Sequence, residues 1–260
     1  MVAVIKSIYS LPTASGLATT EENELERIVR SMGDVDFWAD PAERAEPFVN
    51  FSLLDRVGSR EIKPHGNIHP TPTILNGFAA VQGYEGASCM RVDYQVAPGY
   101  FFACAVRTGA TIGTSDGIIT STDQSNTDGR LFAGLRNGSQ FGILHGSTNA
   151  VSTPVNSILP ATDYVLWGNF NPDNLDVSST TPTVELGINS PSVLTTGRVP
   201  RLHMGDTSSC IFGGVSDRGG GHVYLDVLIV PEPLNGAANY QRRGIILDYL
   251  AWKIGKTLTA

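Results

Sequence analysis

Basic clusters, long apolar runs and paired cysteines are scarce or missing in this chain, and each absence excludes a class of function. Lys and Arg number 18 against 25 Asp and Glu, for a net charge of −7. No segment concentrates the cations, so the surface repels phosphate backbones and anionic lipid, and neither nucleic acid nor a membrane is expected as a partner. No run of about 18 apolar residues occurs, which excludes a membrane-spanning helix. The opening "MVAVIKSIYSLPTASG" has too short an apolar stretch before Lys6 for a signal-peptide core, so work outside a cell would need another route of export. The three cysteines, Cys89, Cys104 and Cys210, form no C-x-x-C pair and sit among strand-like residues, which predicts free buried thiols. Charged residues make up only 17% of the chain.

What is present is turn chemistry and short apolar runs. Twenty-eight glycines and fifteen prolines are spread along 260 residues. Between them lie "SCMRVDY", "YFFACAVR", "GIITST", "RLFAGLR", "FGILHG", "DYVLWGNF", "TVELGI", "RLHMG", "CIFGGV" and "HVYLDVLIV". Ten such runs without interleaved helices predict an all-β, two-sheet antiparallel sandwich rather than a parallel α/β sheet. In the last run Val223, Leu225, Val227 and Ile229 alternate with Tyr224, Asp226, Leu228 and Val230, so that strand should be covered on both faces.

Two helices frame the strands. Residues 1–18 read as an extended arm. From Thr19, a capping box with Glu22 and the spacing of Leu25, Ile28, Val29 and Met32 predict an amphipathic helix that stops at Gly33. Residues 35–73 read as irregular because of Pro41, Pro47, Pro64, Pro70 and Pro72. The chain closes on "NYQRRGIILDYLAWKIGK", whose stripe of Ile245, Ile246, Tyr249, Leu250 and Ile254 predicts a helix capping the last strand. Arg242, Arg243 and Asp248 are expected to face outward.

These residues resemble a known pattern. "YLDVLIVPEPLNGAANYQRRGIILDYLAWKIG" is similar to the closing strand, link and helix of laminin-G-like, concanavalin A-type jelly-roll domains found in phage and bacterial surface proteins. There an "A-E-V-I-V-Y" strand precedes a helix ending "Y-L-A-W-K-W-G"; here Tyr249 to Lys253 match it, and Ile254 replaces the second Trp. "FWADPAE" resembles the family's "L-W-L-D-A", "LLDRVGSREI" its "W-x-D-x-S-G", and "PTILNGFAAVQGYEGASCMRVD" its "P-x-Y-x-x-N-G-x-P-A-V-x-F-D". The resemblance spans about residues 35–256. It implies a jelly-roll domain over 35–260, preceded by an arm and helix over 1–34. By analogy it also implies a binding or structural module whose ligands are often glycans. Asp226 stands where the family commonly has Glu, and no matching calcium-binding acids are found.

Catalytic patterns are sparse. Glycosidases on this fold set acids at alternate strand positions; the nearest text, "EENELE", lies on the first predicted helix, where Glu22, Glu24 and Glu26 cannot share a face. "GTSDG" (113–117) matches G-x-S-x-G but precedes a strand rather than a helix, so it reads as a hairpin turn. His65 and His69 in "PHGNIHP" lack a third zinc ligand. "DQSNTDGR" (123–130) and "NFNPDNLD" (169–176) could hold calcium but lack the full ligand spacing, and tight turns explain them better. "SDRGGGH" lacks the Lys and Ser/Thr of a phosphate loop. No cofactor and no catalytic residue are therefore expected.

The expected function is a non-enzymatic component of an extracellular assembly, a phage virion head decoration, fibre or tail part, located on the virion surface. Its partners would be other virion or surface proteins and copies of itself, a trimer for instance. Residues 1–34 would anchor or oligomerise it through Leu25, Ile28, Val29 and Met32. The alternative is a lectin-like module whose Tyr84, Tyr94, Tyr100 or Tyr240 stack on host surface glycans. A polysaccharide-cleaving enzyme on the same fold comes last.

Overall fold

The structure, a computed structural model, describes residues 23–46, 51–121, 131–145, 149–171, 183–199 and 208–258. Helix α1 (Glu24–Ser31) leads into β1 (Phe37–Glu46), β2 (Ser52–Asp55), β3 (Glu61–Gly66), β4 (Thr71–Leu75), β5 (Phe78–Gln82), β6 (Gly86–Val92) and β7 (Tyr100–Arg107). There follow β8 (Ser115–Ser121), β9 (Leu131–Arg136), β10 (Gln140–His145), β11 (Asn149–Ser152), β12 (Asp163–Phe170), β13 (Val184–Ile188) and β14 (Thr195–Gly197). The chain ends in β15 (Ser209–Gly219), β16 (Val223–Val230) and α2 (Gly236–Lys253).

One hydrogen-bonded path runs β11-β10-β9-β8-β15-β6-β3-β2-β1-β16-β7-β12-β13-β14, with antiparallel pairings. It turns its corner between β2 and β1, where two register shifts bend the strand. The path thereby folds into an antiparallel jelly-roll sandwich. The main core lies between its layers, with Phe141 and Ile143 of β10 facing Phe102 and Phe170 of β7 and β12. The β4–β5 hairpin pairs onto β16 through Gln82 and Val81.

A second core covers the outer face of the β1-β16-β7-β12 layer. Trp38, Phe101, Ala103, Val165, Trp167 and Leu228 meet Ile246, Leu247, Tyr249 and Leu250 of α2. Strand β16 is thus covered on both faces, as its apolar alternation predicts, but the alternation slips once. Tyr224 pairs Val106 and Val227 pairs Cys104, so one extra residue bulges between them. Tyr224, Val227 and Ile229 face the main core, and Leu225, Leu228 and Val230 the second.

The bulge aims Asp226 at α2. Its Oδ2 accepts from Trp38 Nε1 at 2.8 Å and from the Tyr249 hydroxyl at 2.6 Å, while Lys253 Nζ donates to its Oδ1 at 2.6 Å. Lys253 also donates to Asp40 Oδ1 at 3.2 Å, and Asp40 Oδ2 accepts from Arg56, which reaches on to Glu26 of α1. Burial, the Asp40 charge beside it and the weaker pull of Lys253 leave the Asp226 carboxyl above its ordinary range. Burial acts on Asp40 in the same direction, but Lys253 and Arg56 outweigh it and hold it low. The "FWADPAE" and "YLAWK" stretches therefore meet in space.

Three expectations need correction. Helix α1 begins at Glu24 with Asn23 as its N-cap, the side chain accepting from Leu25 N–H at 2.7 Å; Thr19 and Glu22 lie outside the described residues, as do the arm and "RLHMG". Residues 35–73 hold four strands rather than irregular chain. Their prolines fit because each sits where no ladder N–H is needed: Pro41 within the β1 bulge, Pro64 beyond the last β2 pairing, Pro72 on the outer strand of a hairpin. Arg243 is buried rather than outward-facing.

Tyr94, Tyr100, Tyr224 and Tyr249 are all buried, and burial raises each phenol above its ordinary value. For a group raised in the folded state the contribution to stability is whole below the unfolded pKa, near 10, and is lost as pH climbs toward the folded value. Urea unfolding should therefore give a plateau to about pH 9. Above about pH 10 it should give a fall approaching roughly 1.4 kcal/mol per pH unit for each buried tyrosine. A stability flat to pH 11 would contradict this packing.

Candidate functional site

The site grows out of the link between β16 and α2. After Val230 the chain turns through Pro231 and Pro233, and Gly236 opens the helix at φ +72°, a left-handed conformation that side chains other than glycine resist. Asn235, the N-cap, makes no side-chain capping bond. Asn169 of β12 pins the link from beneath: its Oδ1 accepts from Leu234 N–H at 2.8 Å, and its Nδ2 donates to Glu185 of β13 at 3.1 Å.

Arg243 folds back from α2 onto this platform. One guanidinium nitrogen donates to the Leu234 carbonyl at 2.8 Å, and the group lies 4.6 Å from the Trp167 ring centre and 5.3 Å from that of Tyr240. Its Nε has no hydrogen-bond partner, and Glu185 stands 4.0 Å away. Burial draws the guanidinium below its ordinary pKa, while Glu185 and Tyr240 act in the opposite direction.

Together Glu185, Val193, Gly236, Tyr240 and Arg243 line an open pocket of about 410 Å³, within the size range of small-ligand sites. Tyr240 is 41% exposed and Val193 38%, and the neighbouring Leu194 adds apolar surface. The arrangement offers an aromatic face, a carboxylate acceptor and a cationic donor in one concavity. A polar ligand with a ring-shaped apolar side matches that combination.

Of the tyrosines proposed as sugar contacts, Tyr240 alone lines this pocket. Tyr84 is exposed elsewhere, just after β5, where its hydroxyl bonds Thr71 at the start of β4 at 2.8 Å. Tyr94 and Tyr100 must be withdrawn: both are core residues, stacked on Phe37 and Phe170, and present no face to solvent. The α1 stripe is likewise spent mostly within the chain. Val29 is fully buried, and Leu25 and Met32 pack on the second core; Ile28 stays half-exposed. This packing favours a helix docked on its own domain over one free to anchor or oligomerise.

Sequence reading missed Glu185, Asn169 and Arg243. Arg243 carried a misleading signal, its charge, although its spacing from Ile246 and Leu250 sets it on the apolar stripe of the helix. It also missed a buried His–Asp pair: His222 Nε2 lies 2.9 Å from Asp116, and His222 Nδ1 accepts from Gly109 N–H at 2.8 Å. Both ring nitrogens are taken, and Ser115 of the "GTSDG" stretch turns its hydroxyl to the Thr114 carbonyl instead. The stretch is not the hairpin turn expected: Ser115 to Gly117 already belong to β8, which pairs β9 and β15 and not β7. Cys89, Cys104 and Cys210 are free and buried. Among the described residues no three metal-ligating side chains converge. "DQSNTDGR" and most of "NFNPDNLD" lie outside the described residues.

No protein-family model matches the chain, and no curated protein matches it in sequence. Solved structures do match in shape. A Trypanosoma rangeli sialidase in complex with the inhibitor DANA superposes at a TM-score of 0.55 with 9% identity, over 86% of this chain and 34% of that one. The binding domain of botulinum neurotoxin DC, in complex with rat synaptotagmin II, gives 0.59 and 12% over 84% of this chain and 52% of that one. The receptor-binding domain of a botulinum neurotoxin C/D mosaic serotype gives 0.57 and 11%. The chain thus spans about a third of the sialidase's length and about half of the neurotoxin domains'. At these identities the likeness establishes a shared β-sandwich fold.

Two glycines of α2 should respond oppositely to alanine. Gly236→Ala forces a Cβ into left-handed geometry and should destabilise by about 1–2 kcal/mol. Gly244 has a non-positive φ, and the space a Cβ would occupy there has no neighbour within 4 Å, so the same change should gain about 0.5–1 kcal/mol. Paired urea titrations check both signs.

Proposed function

We propose that this chain is a non-enzymatic binding module whose pocket at the N-terminal end of α2 takes a carbohydrate. The observation that carries this is the meeting of an exposed aromatic ring, Tyr240, with Glu185 and Arg243 in one open concavity. A sugar ring has an apolar C–H face suited to Tyr240 and hydroxyls suited to the carboxylate and guanidinium. A non-enzymatic role is supported by the environment of the acids. Asp40 and Asp226 are sealed under α2, and among the described residues lining the pocket Glu185 is joined by no second carboxylate.

A second reading concerns the setting. The resemblance of the 249–253 motif and of "FWADPAE" to jelly-roll domains of phage and bacterial surface proteins supports a place on a virion surface, as a head decoration, fibre or tail component. In that setting the pocket would face host glycans, with other virion proteins or further copies of this chain as neighbours.

Glycan-array binding followed by titration calorimetry tests the site. Tyr240→Ala should weaken the best glycan at least tenfold, about 1.4 kcal/mol, with unchanged thermal stability, and Tyr84→Ala should leave it intact. No binding to any arrayed glycan at millimolar concentration would remove the carbohydrate reading. Labelling of purified virions with an antibody against the chain tests the setting separately.

A further inference from the structure

The polar cluster beneath α2 brings an amine, a carboxyl and a second acid within reach of one another. Lys253 Nζ stands 2.6 Å from Asp226 Oδ1, close enough for attack on the carboxyl carbon. The other carboxyl oxygen, Oδ2, accepts from both Trp38 Nε1 and the Tyr249 hydroxyl, two donors placed where a tetrahedral intermediate would carry its negative charge. A third group, Asp40, lies 3.2 Å from the same nitrogen. Lys253, Asp226, Asp40, Trp38 and Tyr249 are each at most 4% exposed, so solvent does not compete. We propose that Lys253 and Asp226 condense into an intramolecular isopeptide bond joining α2 to β16, with Asp40 as the proton relay.

The step balances without any outside reagent. The ammonium of Lys253 passes one proton to Oδ1 of Asp226, giving a neutral amine and a neutral acid. The amine attacks the carboxyl carbon, and Oδ2 takes the electron pair, held by Trp38 and Tyr249. Asp40 accepts the proton shed by the new C–N linkage and returns it to Oδ1, which leaves as water. The product is a secondary amide whose N–H faces Asp40. The charge that stays on Asp40 is matched by Arg56, 2.6 Å from its other oxygen.

The remaining charges agree with this route. Burial and the Asp40 charge favour the protonated form of Asp226, the form that can lose water. Lys253 is buried, yet its two acids hold its pKa above the ordinary value, so its proton has to move within the cluster rather than escape to solvent. Other charged groups around the cluster are Arg56, which bears on Lys253, and Glu26, which bears on Tyr249.

Intact mass spectrometry of the purified full chain, denatured, decides the matter. The expected mass is lower than the sequence mass by one water. Trypsin should then release a branched species joining residues 219–242 to residues 244–256, with Lys253 uncleaved. A chain of full sequence mass overturns the proposal, and so does a one-water deficit without the joined peptide, which would mark a cyclic imide at an aspartate. Lys253→Met should show the full mass; should that variant fail to fold, the wild-type measurement stands alone. An Asp40→Asn chain that is joined as completely as wild type would overturn the relay role of Asp40.

Discussion

A carboxyl group with no exposed surface must be matched by donors, and Asp226 finds them on elements far apart in the chain: Trp38 on β1, Tyr249 and Lys253 on α2. Each of those donors would be costly if left alone. A buried lysine facing one acid too few, or an acid stripped of its lysine, loses several kcal/mol. The cluster is therefore satisfied only when β1, β16 and α2 are assembled together. Asp40 and Arg56 extend the same demand to the turn after β2 and to Glu26 of α1. The apolar stripe of α2 decides which face of the helix turns to the sheet, and the cluster adds fixed polar contacts at its C-terminal end.

That fixed helix positions the pocket. Its C-terminal end is held by Lys253, and its N-terminal end starts where Gly236 turns the chain out of the β16 link. Between them Arg242 pairs with Asp34 at 2.9 Å just after α1, and Arg243 lies across Trp167. Tyr240 thus stands on a helix braced at both ends, over strands β12 and β13 that supply Asn169 and Glu185. A ligand meeting it would order few side chains, which lowers one of the costs of binding.

Much of this fold was legible because its signals are local. Nine of the ten apolar runs read as strands coincide with strands among the described residues, and the helix that ends the chain has an apolar stripe at helical spacing. What was not legible depended on pairing. A proline discredits a strand in a sequence, yet Pro41, Pro64 and Pro72 sit at a bulge or on a one-sided ladder, which is visible only once partners are known. The bulge at Asp226 has the same character: simple alternation counts it as one polar residue on an apolar strand. At the site Tyr240 could be named as an exposed aromatic, but so could Tyr94 and Tyr100. Their burial follows from stacking on Phe37 and Phe170, residues distant in the chain.

Arg243 shows how charge misleads at such a place. A guanidinium is assigned to solvent because burying one without partners is prohibitive, although at 100° per residue Arg243 falls between Leu250 and Ile254 on the apolar stripe. The fold supplies partners the helix alone does not contain: the Leu234 carbonyl freed by the turn into the helix, the Trp167 ring from β12, and Glu185 from β13. A planar cation can enter an apolar layer by stacking on an aromatic face, which a lysine ammonium at the same position would do less well. Removing either the turn or the ring would take away one of those partners, so the pocket and the seating of the helix are two consequences of one arrangement.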